Sequence, residues 1–380
     1  MILTLLFVTL IYLILIGSFI IGFNKVSTFI LEDLRAKTKF SIVIPFRNEA
    51  KHLPELLQSV LALNYPKHLF EIIFVDDDSN DNSVTIIQNT LNSAQTPINS
   101  KIHFQLISNT KKSNSPKKTA ITSAIKIAKH PWIITTDADC QLPKFWLDSF
   151  DEYIQKHNAV CIAAPVTYTI TSTFLSNFQT LDILSLQGAT IGGFGLKKRF
   201  MCNGANFAYK KATFNAVNGF NGNTKIASGD DIFLLEKIAK AQPNQVHYIK
   251  CEKAIVKTHA QPNWTLLIAQ RIRWAAKTSA YSNVFGKLTG LVVLLTNALI
   301  LIGLILAIIG VINFKSLFYM GFIKFNIDFY LLYITASFFR QKAILKSYIL
   351  GFLVYPLFSV YVACISMFSR YTWKDRQFKK

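Results

Sequence analysis

Two uncharged stretches at opposite ends of the chain limit what it can fold into. Ile2 to Phe23 and Leu288 to Ile312 are each long enough to span a bilayer as a helix. The first has no basic start and no small-residue cleavage site, so it reads as a retained anchor rather than a signal peptide. Lys25, Arg35, Lys37 and Lys39 follow it, which places its C-terminal side in the cytoplasm. Two further candidates come later. Phe325 to Phe339 is shorter and carries Asp328, and Ile349 to Phe368 is interrupted by Pro356. The alternative for each stretch is a buried core helix, and length decides against it most clearly for Leu288 to Ile312.

The organisation expected is an anchor at residues 1–24, a large domain at 39–285, a membrane region of two or three spans at 286–369 and a basic tail at 370–380. The middle part, at roughly 245 residues, suits one large domain. The formal net charge of +20 could suit nucleic acid, but flanking spans make an anionic membrane surface the better partner. The five cysteines show no paired spacing and read as reduced thiols.

Within the middle part, strands and helices alternate. Phe40 to Pro45, Glu71 to Val75, His103 to Ile107 and Trp132 to Thr136 read as buried strands. Helices are expected from Arg47-Asn48-Glu49 to Leu63, over Ser83 to Leu91 and over Thr119 to Lys129. This order predicts an α/β fold with a mainly parallel sheet whose carboxyl edges form one cleft. Acidic groups end two of the strands: Asp76-Asp77-Asp78 the second, and Asp137-Ala138-Asp139 the fourth. Hard divalent cations prefer such oxygen ligands, and Mg²⁺ is usually held by one or two carboxylates together with substrate phosphates. A diphosphate is therefore the substrate class that this edge suggests.

Four more segments bear on the chemistry. Pro116-Lys117-Lys118-Thr119 offers cations near the cleft, with a solvated charged loop as the alternative. Asn203-Gly204-Ala205-Asn206 contains adjacent small residues, which allow close backbone approach to a ligand. Ser228-Gly229-Asp230-Asp231 opens a helix over Ile232 to Ala239. Helix capping is one use of that acid pair. The other is proton acceptance, since adjacent carboxylates raise one another's pKa. Gln270, Arg273 and Trp274 lie within about one helical turn and can converge on one site. Arg273 can bind a diphosphate bidentately. An Arg-Trp pair before a span can also be an interfacial anchor. His259 and Cys140 read as structural, by the usual fate of a lone histidine and a thiol in a packed site.

Taken in order, Pro45-x-x-Asn48-Glu49, Val75-x-Asp77-x-Ser79, Asp137-x-Asp139, the acid pair and Gln270-x-x-Arg273-Trp274 resemble the motifs of glycosyltransferase family 2. The last is similar to the motif of membrane-bound members such as ceramide glucosyltransferases and polysaccharide synthases. The resemblance covers about Ser41 to Trp274. It implies a GT-A fold flanked by transmembrane helices and a nucleotide diphosphate sugar donor, a UDP-sugar first among them. It implies Pro45, Asn48 and Glu49 around the nucleoside and Asp77 on the base or ribose. Lys117 and Asp137 would lie near the sugar-nucleotide and Asp139 would hold Mg²⁺ or Mn²⁺. Gly204, Ala205 and Asn206 would line the acceptor pocket, with Asp231 as general base and Asp230 orienting. The chain departs from the family where Pro116 and Ile121 replace a glycine and a leucine. The function expected is inverting transfer to a lipid or glycan acceptor at the inner cell membrane, with the catalytic domain cytoplasmic and no nucleic acid bound. Few spans disfavour a processive polysaccharide synthase. The intact acids disfavour a non-catalytic scaffold.

Overall fold

The computed structural model describes residues 2–93, 102–109, 115–224, 226, 228–368, 371–373 and 376–378. The basic pair Lys111-Lys112 and, within the expected tail, Arg370, Lys374, Asp375, Lys379 and Lys380 lie outside these residues.

Helix α1 (Ile2–Lys25) opens the chain and an extended segment leads from it into the sheet. That segment is held by two buried acids of α5 (Trp146–Lys156). Glu152 accepts from the backbone N–H groups of Glu32 and Leu34 at 2.7 and 3.1 Å, and Asp151 from those of Lys37 and Thr38 at 3.2 and 2.9 Å. The main sheet has seven strands in the order β3-β2-β1-β4-β7-β5-β8. They are β1 (Phe40–Phe46), β2 (Phe70–Asp76), β3 (His103–Ser108), β4 (Trp132–Thr135), β5 (Cys161–Ala163), β7 (Phe207–Lys210) and β8 (Val246–Tyr248). Only β7 runs antiparallel to its neighbours, so the expected mainly parallel sheet is borne out. Two short strands, β6 (Val166–Tyr168) and β9 (Val256–Thr258), pair in parallel beside it.

Side chains alternate across the pleat. Phe40, Ile42 and Ile44 pack on one face with α2 (Leu53–Leu61) and α5. Val43 points to the other face with α4 (Pro116–Ile127) and α6 (Phe174–Gly195). Both faces are covered, which is why the strands read as continuous apolar runs. The remaining helices are α3 (Ser83–Ser93), α7 (Lys211–Ala216), α8 (Asp230–Ala241), α9 (Trp264–Ala275), α10 (Val284–Ile308), α11 (Phe314–Phe338) and α12 (Tyr348–Phe368). A short hairpin, β10 (Tyr371–Trp373) and β11 (Arg376–Phe378), follows.

Three local expectations are corrected. The helix expected from Arg47 begins at Leu53, because Asn48 adopts a left-handed φ of 50° and Pro54 favours the first turn. The helix expected from Thr119 begins at Pro116 for the same reason, so Lys117 and Lys118 stand on its first turn and not on a loop. Phe325 to Phe339 is part of a longer helix, the 25-residue α11. Asp328 does not face lipid: Lys324 pairs with it at 2.5 Å and the Tyr12 hydroxyl donates to it at 2.7 Å. Among the described residues four helices, α1, α10, α11 and the last, which includes α12, are long and apolar enough to cross a membrane by length and composition.

α6 joins the apolar helices to the sheet. One face packs on α1 and α11. Leu184, Ile191 and Phe194 of α6 enter the core around β5 and β8. Glycines allow the first contact, since a Cβ on Gly192 would lie 2.8 Å from Phe19 Cα. Lys250 closes the junction. Its ammonium donates to the Phe23 and Val26 carbonyls at the end of α1, both at 3.2 Å, and lies over the Phe23 ring. A cation at the C-terminus of a helix offsets its dipole.

Candidate active site

The carboxyl ends of β1, β2 and β4 open on one side of the sheet, and the loops after them carry the first group of polar residues. Arg47 reaches from the end of β1 to the carbonyls of Asp77 and Asp78, both at 2.7 Å. Asn48 donates its backbone N–H to Ser79 Oγ at 3.0 Å, and its side-chain oxygen accepts from Asn80 N–H at 2.8 Å. Glu49 N–H bonds to Ser83 Oγ at 2.9 Å. These bonds join the Pro45–Glu49 turn to the acidic loop after β2. Asn109, at the end of β3, donates to Asp77 Oδ1 at 2.8 Å and orients that carboxylate.

Lys117 links the two acid motifs. Its ammonium bonds Asp137 Oδ1 at 2.6 Å and lies 3.5 Å from Asp230 Oδ2. Burial alone would lower its pKa, but the charges of Asp137 and Asp230 hold it above the usual lysine value. Asp139 is half-buried next to Asp137, and desolvation and that like charge raise its pKa, while Thr258 and His52 oppose the rise. Two crowded carboxylates of this kind fit a hard divalent cation, which would relieve their repulsion. Among the described residues no group of three or more His, Cys, Asp or Glu side chains converges to complete such a site. Two carboxylates plus donor phosphates match the common manner of holding Mg²⁺.

Asp230 and Asp231 stand in the first turn of α8, after Gly229 at a φ of 79°. The two diverge electrostatically. Burial opposes ionisation of Asp230, yet Lys117, Lys277 and Lys118 hold its pKa below the usual value. Asp231 is pushed up by burial and then by the charge of Asp230. Such a split leaves one stable anion beside a carboxylate of raised proton affinity. Asp231 also accepts from the backbone N–H of Gly204 at 3.0 Å and of Ile232 at 2.8 Å. It therefore satisfies a first-turn N–H of α8 and fixes the Gly204 turn at once.

The Asn203–Asn206 segment divides. Gly204 faces the acid pair, and a Cβ there would lie 3.2 Å from Asp230 Oδ2. Asn206 does not face it. Its side chain is fully buried, accepting from Trp146 Nε1 at 2.9 Å and donating to the carbonyls of Pro165 and Ala254 at 2.8 Å each. Ala205 is core. The amide of Asn206 is spent on the fold.

Gln270, Arg273 and Trp274 share α9. Arg273 lies within electrostatic reach of Lys277, which itself faces Asp231 and Asp230. The pattern of the sequence does not single out Lys277, because it lies beyond the motif. Lys118 also has a part that its sequence context hides. It is 1% exposed, donates to the carbonyls of Asn223 and Ile226 at 2.8 and 2.9 Å, and lies over the Phe233 ring. It thus ties down the loop before the acid pair, and burial lowers its pKa to about 8. His259 bonds Glu55 at 2.7 Å beside His52, and Gln141 bonds the other oxygen of Glu55. Cys140 is buried, and burial raises its thiol pKa.

Comparison with known proteins gives the family. The model of glycosyl transferase family 2 matches residues 41–217, and that of glycosyl transferase family group 2 matches residues 132–369, more than half of the chain. The chain is 30% identical over 121 residues to a poly(ribitol-phosphate) beta-N-acetylglucosaminyltransferase, TarS, of Staphylococcus aureus, a match covering 32% of this chain and 20% of that one. It is 36% identical over 104 residues to an undecaprenyl-phosphate 4-deoxy-4-formamido-L-arabinose transferase of Pseudomonas savastanoi pv. phaseolicola, covering 27% and 28%. The chain thus spans about a quarter of the length of these curated relatives. A mannosyltransferase of Pyrobaculum calidifontis, solved with GDP-Man and Mn²⁺, superimposes with a TM-score of 0.53 at 15% identity, covering 92% of this chain and 96% of that one. That likeness shows the shared GT-A fold. With its parallel sheet and two acid motifs joined through Lys117, the chain belongs to glycosyltransferase family 2.

Proposed function

We propose that this glycosyltransferase moves a sugar, with inversion, from a nucleotide diphosphate sugar to a membrane-associated acceptor, a lipid first among them. The observation that carries the reading is the Lys117 bridge, 2.6 Å to Asp137 and 3.5 Å to Asp230. It sets the donor acids and the acid pair on one cleft. The nucleoside would lie against Pro45, Asn48, Glu49 and Asp77. Asp139, with Asp137, would hold Mg²⁺ or Mn²⁺, which when bound offsets charge on the donor diphosphate.

The chain's own residues then divide the work. Arg273 pairs with the departing diphosphate as negative charge builds up. Asp231 takes the proton of the acceptor hydroxyl. The acceptor oxygen forms its bond to the anomeric carbon as the carbon–oxygen bond to the diphosphate breaks, and the nucleoside diphosphate leaves. One displacement from the opposite face inverts the centre. Asp230, held ionised, keeps Lys117 in place, and Gln270 and Trp274 line the acceptor side with Gly204.

In this reading residues 1–24 anchor the chain, 39–285 form the catalytic domain and 286–369 the C-terminal membrane region. The enzyme lies in the inner cell membrane with its domain in the cytoplasm. The relatives that act on undecaprenyl phosphate and poly(ribitol phosphate) support a carrier or envelope acceptor. The test is product analysis. Membranes containing the chain are given a panel of labelled nucleotide sugars, and organic and aqueous phases are counted separately. One sugar on an organic-soluble product is expected. A long labelled polymer would favour a processive synthase, and no transfer from any donor would sink the reading.

A further inference from the structure

Asp182 is a charged residue in the middle of α6, a helix otherwise given to packing. It pairs with Arg271 of α9, Nε to Oδ2 at 2.7 Å, and each side chain is only 6% exposed. Arg271 stands between Gln270 and Arg273 in the motif helix. Its guanidinium donates to the side-chain oxygen of Gln270 and lies 4.3 Å from the centre of the Trp274 ring. Arg271 therefore touches two of the three motif side chains directly, and Asp182 holds Arg271.

A buried ion pair is a poor means of gaining stability. Desolvating both charges costs about as much as their attraction returns, and apolar residues of similar volume serve as well or better. A charged pair does supply direction. A guanidinium is planar and its donors are fixed in a fork, so a carboxylate on one edge sets the angle of the whole group. Here that angle decides where the amide of Gln270 and the ring of Trp274 stand. The support is firm, since α6 packs on α1 and α11 on one side and on the sheet on the other. Tyr355 of α12 also lies near both Asp182 and Arg271.

We infer that Asp182 is a positioning residue for sugar transfer, orienting Gln270 and Trp274 through Arg271 from the helix that joins the membrane bundle to the catalytic sheet. The inference rests on the transferase reading above. It makes Asp182 a residue that touches no substrate yet controls the acceptor side of the site.

The test uses the full chain in lipid nanodiscs. Asp182→Asn should leave donor affinity within about twofold and lower kcat about tenfold or more, the scale of loss expected when a catalytic group is displaced by about 1 Å. Asp182→Glu should recover part of that loss. The emission contributed by Trp274, taken as the difference from Trp274→Phe, should change when Asp182 is neutralised, because the ring loses the guanidinium on its face. Asp182→Asn combined with Arg271→Gln removes both charges and leaves none unpaired. This double variant decides the matter if the single one does not fold, and it should fold yet remain slow. Wild-type kcat in either folded variant, or unchanged Trp274 emission, would overturn the inference and leave the pair purely structural. A wild-type chain that transfers no sugar would instead remove the transferase reading, while the Trp274 emission still reports on the contact itself.

Discussion

At the scale of single residues, the electrostatic split between Asp230 and Asp231 has two consequences. Asp231→Asn should retain donor binding and lose transfer by about 10² or more, since an amide accepts no proton. Single-turnover assays with saturating donor check this. Near-normal turnover would move the base elsewhere, to Asp230 first. The second consequence is a pH effect. Asp231 must be ionised to act, and burial and the charge of Asp230 raise its pKa. Activity should therefore fall with decreasing pH at a value above the usual carboxylate range. In Asp230→Asn that raising charge is gone, so the acid limb of the kcat profile should move to lower pH. An unmoved limb would assign it to another group. Asp139→Ala should weaken donor binding and abolish transfer, and chelator should do the same to the intact protein, reversibly with Mn²⁺ or Mg²⁺. Donor affinity that is indifferent to both would recast Asp137 and Asp139 as polar contacts to the sugar. The acids were legible in the sequence because each closes a strand or opens a helix. Lys118, Lys277 and Asp182 were not, since their importance comes from partners 46 to 108 residues away.

At the scale of elements, the contact between α1 and α6 is the least tolerant part of the fold. A Cβ on Gly22 would collide with the Gly192 carbonyl, and one on Gly195 with the Gly22 carbonyl. Both are backbone atoms in helices and cannot move aside as a side chain would. Gly22→Val should therefore force the helices apart and cost about 1–3 kcal/mol, the usual range for overpacking. Thermal unfolding of the purified protein in detergent reads this directly, and an unchanged midpoint would show that the helices can separate without loss. Apolar runs bounded by turn and charged residues exposed the first four strands, and their alternation with helical segments the rest of the βα order. α6 escaped, because it is buried nearly all round and has no amphipathic period to read. β7 escaped because it is short and its antiparallel direction depends on the strands it pairs with.

At the scale of the whole molecule, α1, α10 and α11 pack along one another. Leu5 of α1 meets Ala307 of α10 and Met320 of α11 at one end, and Phe19 clusters with Phe285 and Leu331 towards the other. The domain-side ends are thus the end of α1, the start of α10 and the end of α11. α12 differs. The turn before it is tied to the domain through Gln341, which accepts from Thr167 at 2.8 Å and donates to the Tyr168 carbonyl at 3.0 Å. Its C-terminal half packs Phe358 and Val362 on Phe178 of α6 and Leu267 of α9, and β10 lies against α9 beyond it. Both ends of α12 are held by the domain, so the C-terminus is expected on the domain side. A cysteine added after Lys380, in a chain without the native five, should resist a membrane-impermeant thiol reagent in intact cells. Rapid labelling there with Lys39→Cys protected would mean that α12 crosses and the tail is external.

The sequence by itself determined the long apolar helices, the parallel core strands and the acids at their ends. Each of these follows from local rules: length against bilayer thickness, apolar runs of strand length, and the turn chemistry of glycine and proline. Only the tertiary structure decided that Tyr12 reaches Asp328 within the bundle, that Asn206 is spent on the core, that Lys117 joins Asp137 to Asp230, and that Asp182 holds Arg271. These are contacts between residues far apart in the chain. Burial makes each pairing strong or costly, and burial is set by the packing of the whole chain, which no single stretch of sequence contains.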